Sequence, residues 1–81
     1  MTAEQIERLI AEGIPGATVR VQGDDGRHFQ ALVVADAFTG LSQVKQHQLV
    51  YGALGHLMQE AIHALSLRTL TPTEWESVRS H

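Results

Sequence analysis

The chain has 81 residues, enough for one domain spanning residues 1–81 and too few to enclose a large cavity or to close a second domain over a substrate. Hydrophobic residues make up 43% and charged residues 19%, the balance of a folded domain rather than a disordered tail. There is no cysteine, which excludes disulfides and thiol nucleophiles, and a net charge of −3 with only six Lys and Arg is a poor footprint for nucleic acid.

The first helix is announced by Thr2 and Gln5, spaced as a capping box. Ile6, Leu9 and Ile10 share one face behind them, and Glu4, Glu7, Arg8 and Glu12 cover the other. Gly13 stands where a helix end favours a left-handed residue, and Pro15-Gly16 prevents continuation. Val19 and Val21 then alternate with Thr18, Arg20 and Gln22, a strand period. Gly23-Asp24-Asp25-Gly26 is turn chemistry of the hairpin kind, and a return strand is expected from Arg27 to Ala35. Phe29, Ala31 and Val33 fall on one face of it, with His28, Gln30, Leu32 and Val34 on the other.

Asp36 to Gly40 breaks that strand, and Leu41 to Glu60 reads as helical after a short turn. Val50, Leu54, Leu57 and Ala61 form its apolar stripe, with Val44, Tyr51 and Met58 beside it. Gly52 and Gly55 are poor helix formers, so their presence suggests close packing against a neighbouring element. Ile62 to Leu70 reads as a third strand, Leu65 and Leu67 on one face, Ser66 and Arg68 on the other. Thr71-Pro72-Thr73-Glu74 is a second capping box with proline at the first helical position, opening a helix that carries Trp75 and Val78. The order α-β-β-α-β-α predicts an α+β two-layer sandwich. Its first two strands pair antiparallel, and the third, after a long crossover, can lie parallel to a neighbour in an order the sequence leaves open.

Motifs for catalysis are scarce. The glycines of the hairpin turn lack the spacing of a phosphate loop and precede a strand rather than a helix. There is no Gly-x-Ser-x-Gly elbow, Ser42, Ser66, His47 and Asp36 have no local context of a triad, and Asp24 and Asp25 are turn residues. No catalytic residue is assigned, and an enzyme is the weakest class. No apolar run reaches the roughly 18 residues of a membrane span. Met1-Thr2-Ala3-Glu4-Gln5 has neither the basic nor the apolar region of a secretion signal, so a cytoplasmic protein without membrane contact is expected.

The five histidines are the conspicuous feature. His47 and His56, nine residues apart, fall on opposite faces of a helix and read as solvated positions. His81 is terminal. His28 opens the second strand beside the turn, near an accessible tip. His63 stands at the junction of helix and third strand, where an imidazolium can cap a helix end or an imidazole can face a metal. Histidine replaces thiolate on one iron of Rieske clusters, but a chain without cysteine supplies only part of such a shell.

These residues also carry a resemblance. Phe38-Thr39-Gly40, Val44 and Val50-Tyr51, together with Ile62-His63-Ala64-Leu65-Ser66-Leu67-Arg68-Thr69-Leu70-Thr71-Pro72, resemble the two signatures of the BolA family. Gly23 to Gln30 is similar to the hairpin of its short IbaG/YrbA-type branch. The resemblance runs from the first helix to Trp75 and implies a fold similar to the type II KH domain with a three-stranded mixed sheet, without the Gly-x-x-Gly loop. It further implies a heterodimer with a monothiol (CGFS-type) glutaredoxin that holds a bridging [2Fe-2S] cluster, for trafficking or for iron and stress sensing. In such a complex the glutaredoxin and glutathione give thiolates, and the family's histidine ligands map onto His63 and His28. The family is also associated with DNA-binding transcriptional regulation, yet here Leu41 to Gln48 carries a single lysine, Lys45, where many members are basic. A protein-interaction module without a metal is the third reading, and a homodimer is compatible with all three.

Overall fold

A computed structural model describes residues 2–23, 28–55 and 64–80. Helix α1 (Ala3–Gly13) is followed by strands β1 (Thr18–Gln22) and β2 (His28–Val34), then by one 3-10 turn (Asp36–Phe38). Helix α2 (Gln43–Leu54), strand β3 (Ala64–Leu70) and helix α3 (Pro72–Arg79) complete the order. The expected α+β arrangement with three strands and three helices is therefore observed among the described residues. The expected turn residues Asp24 to Arg27, the segment His56 to His63 with its Leu57, Met58 and Ala61, and His81 lie outside them.

The sheet runs β1-β2-β3, with β2 antiparallel to β1 and parallel to β3. Ala35 extends the second ladder, its N–H donating to the Leu70 carbonyl at 3.2 Å. The faces of β2 follow its alternation at its start, where Phe29 and Ala31 are buried and His28 and Gln30 exposed, but not at its end, where Val33 and Val34 are both buried and Leu32 is half-buried. The inner face meets Ile6 and Ile10 of α1 and Val50 and Leu54 of α2, with Phe38 closing the core from the 3-10 turn. Each such fully buried aliphatic or aromatic side chain contributes about 1.5–3 kcal/mol.

Local chemistry explains the helix starts. Thr2 Oγ1 accepts from the Gln5 N–H at 3.2 Å while Gln5 Oε1 accepts from the Thr2 N–H at 2.8 Å. Thr71 and Glu74 repeat the pattern at 3.2 and 2.8 Å. Helix α2 begins later than expected, because Ser42 Oγ caps it by accepting from the Lys45 N–H at 3.3 Å. Nor does it run unbroken to Glu60: Gly55 adopts φ 61° and ends the helix at Leu54.

The glycines are where the structure corrects the sequence most. Gly13 is the last residue of α1 but not its left-handed one; that conformation belongs to Gly16, at φ 84°. Gly13 is instead a packing residue, since a Cβ there would lie 2.5 Å from Ala53 Cβ of α2. Gly52 was expected to approach a neighbour, yet a Cβ built on it would meet nothing within 4 Å. Val44, at 67% exposure, likewise lies outside the buried stripe, as does Val78 of α3 at 42%.

One buried polar group ties the layers together. Gln46 Nε2 donates to the Phe38 carbonyl at 3.2 Å and to the Leu41 carbonyl at 3.0 Å. Its Oε1 accepts from Thr69 Oγ1 of β3 at 2.7 Å. Burial is tolerated here because donor and acceptor are both satisfied.

Candidate functional site

His28 is the first residue of the central strand, exposed where the strand pattern turns its side chain away from Phe29. The register pairs it with Ala64, the first residue of β3. Ala64 follows His63 in the chain, and His63 itself lies outside the described residues.

An open groove of about 630 Å³ wraps this end of the sheet. His28, Gly23 and Gln22 line it from the hairpin, Ser66 from β3, and Ala3 and Glu4 from the start of α1. Gly23 is required at its edge, because a side-chain carbon there would collide with the Phe29 ring and come within 2.8 Å of the His28 carbonyl. Glu4, Gln22 and Ser66 were not anticipated at the site. Nothing in their local sequence marks them, since they meet only because α1 packs across the sheet and β3 adds parallel to β2.

Among the described residues no group of three or more His, Cys, Asp or Glu converges as a metal site. His47 departs from its solvated reading. It is half-buried on α2, its ring lies edge-on to Tyr51 at 6.2 Å between centroids, and its Nε2 is buried with no hydrogen-bond partner among the described residues. Lys45 is exposed in the first turn of the same helix. No helix among the described residues is long and apolar enough to cross a membrane.

Comparison with known proteins follows the same outline. A family model described as BolA-like protein matches residues 13–74. The chain is 38% identical over 76 residues to the acid stress protein IbaG of Escherichia coli K12, covering 93% of this chain and 89% of that one. It is 36% identical over 52 residues to the DNA-binding transcriptional regulator BolA of the same strain, covering 64% of this chain and 50% of the regulator. Among solved structures, a bolA homologue from Coxiella burnetii superposes with a TM-score of 0.83 at 44% identity, covering 94% of this chain and 97% of the other.

Proposed function

The chain belongs to the BolA family, and from that premise we propose that it partners a monothiol glutaredoxin in holding a [2Fe-2S] cluster. In this reading His28 and His63 donate imidazole nitrogens to one iron, and the glutaredoxin and glutathione give the thiolates to the other. The cluster is shared cargo, and its sulfur ligands come from outside a chain that has no cysteine.

One observation carries the reading. His28 is exposed at the end of β2, and its register partner is the residue bonded to His63. Adjacent strands lie about 4.8 Å apart, so the residue that follows His63 in the chain stands about one strand spacing from His28. That juxtaposition supports the reading of both histidines as ligands of one metal. Imidazole must be neutral to ligate, and a hydrogen bond to its other ring nitrogen sets which nitrogen is presented.

Coexpression with a CGFS glutaredoxin, followed by visible absorption and circular dichroism of the purified complex, tests it. The His28→Ala, His63→Ala double variant is expected to lose or shift the cluster spectrum while still binding the glutaredoxin. An unchanged spectrum removes the ligand assignment.

The similarity to a DNA-binding regulator supports a second reading, as a nucleic-acid-binding protein. That reading requires measurable affinity for duplex DNA with a steep fall on raising salt. A flat or absent response at low salt rejects it.

A further inference from the structure

We propose that the open face of the sheet is a docking surface for an acidic protein segment, one that places two carboxylates around an apolar side chain. The surface adjoins the groove at His28 and shares Gln22, Gln30 and Ser66 with it, but the contacts proposed here use neither His28 nor His63.

The three strands contain two Asp, Glu, Lys or Arg residues in all, and both are arginines. Arg20 of β1 pairs with Leu32 of β2, and Leu32 pairs with Arg68 of β3, so the three form one row across the sheet. The two arginines are exposed and Leu32 between them is half-buried. Two strand spacings separate the arginines, roughly 10 Å at Cα. Neither guanidinium has an ion pair or hydrogen bond among the described residues; the ion pair found there is Arg79–Glu76, on α3. The next row, Gln22, Gln30 and Ser66, is polar and uncharged, and the two rows line a shallow groove of about 400 Å³.

This charge pattern is selective. The chain as a whole has nine acidic residues against six basic ones, yet no carboxylate stands on any strand. A solvated sheet face ordinarily mixes both signs. Here the exposed row offers two guanidinium forks, each suited to bidentate pairing with a carboxylate, on either side of one aliphatic contact. An extended protein segment with Asp, Leu and Asp at alternate positions (Asp-x-Leu-x-Asp), or its Glu equivalent, puts all three side chains on one face and matches that row in charge and polarity.

A polyanion fits less well. Nucleic-acid affinity grows with the number of phosphates neutralised, and single strands add base stacking on aromatic side chains. The row has two cations and no aromatic residue.

The test is a titration of the isotopically labelled chain with a short capped peptide centred on Asp-Ser-Leu-Ser-Asp, read by amide chemical shifts. Shifts should concentrate at Arg20, Gln22, Gln30, Leu32, Ser66 and Arg68. The Asn-Ser-Leu-Ser-Asn peptide should bind more weakly, and raising salt should weaken the acidic peptide. Arg20→Gln and Arg68→Gln should each lower affinity about two- to fivefold, as exposed ion pairs do, and the double variant about tenfold. Both substitutions are at exposed positions, and unchanged thermal unfolding will show that the fold is intact. The proposal is overturned if the peptide does not bind, if shifts map to another face, or if the Asn peptide binds equally well. It is also overturned if a single-stranded oligonucleotide takes the same residues more tightly, or if the arginines instead mediate self-association of the chain.

Discussion

Replacing Gly13 by alanine sets two known effects against each other at one atom. In most helices the change is favourable, by up to about 1 kcal/mol, because alanine loses less backbone freedom on folding. Here the added methyl would lie 2.5 Å from Ala53 Cβ and 3.1 Å from Ala53 Cα, across the contact between α1 and α2. Carbon atoms rest about 3.5–4.0 Å apart, so the helices must separate by roughly 1 Å. Neither methyl has a rotamer through which to escape, and the strain passes to the backbone. Overpacking of this kind costs about 1–3 kcal/mol. The packing cost wins, and the expected net loss is about 0.5–2 kcal/mol, a fall in Tm of roughly 2–16 °C for a domain of this size. Gly52→Ala is the matched control, in the next helix with nothing within 4 Å of its new Cβ, and should stabilise by up to about 1 kcal/mol. Urea and thermal unfolding of both variants give the comparison. A Gly13→Ala protein as stable as the parent, or a Gly52→Ala protein less stable, would refute the reasoning.

Two further substitutions address the core. Thr69→Val keeps the shape of the side chain but strands Gln46 Oε1, now hydrogen-bonded at 2.7 Å, without a buried donor; a loss of about 1–3 kcal/mol is expected in denaturant unfolding, and a neutral result would show that Gln46 finds another partner. Phe38→Ala removes a fully buried ring and should cost about 3–5 kcal/mol, a large part of the stability of so small a domain, so the urea midpoint should fall steeply.

How much of this was legible beforehand depended on the range over which each feature is decided. Both capping boxes were readable because a cap involves residues three apart and needs no tertiary partner. The alternation of β2 was readable for a similar reason: successive side chains point to opposite faces, and Phe29, Ala31 and Val33 are the apolar set that water rejects. The same alternation put His28 on the exposed face. The length of α2 was overestimated because Ser42 and Gly55 are ambiguous by composition, and their roles appear only as a capping acceptor and a left-handed terminus.

What lay beyond the sequence was everything that depends on which element neighbours which. Gly13 and Gly52 are the same residue type near the same helix pair, and only packing makes one indispensable and the other idle. The gathering of Glu4, Gln22, His28 and Ser66 around one groove, and of Arg20, Leu32 and Arg68 in one row, follows from strand order and register. By itself the sequence determined a small cysteine-free α+β domain, its helix starts, the inner face of its central strand and its family resemblance. The tertiary structure alone decided that β3 adds parallel to β2, with Ala64 opposite His28 and the two arginines in one row across Leu32. Caps and alternation are settled within a few residues of chain, whereas pairing across a long crossover is settled by which surfaces can be buried together.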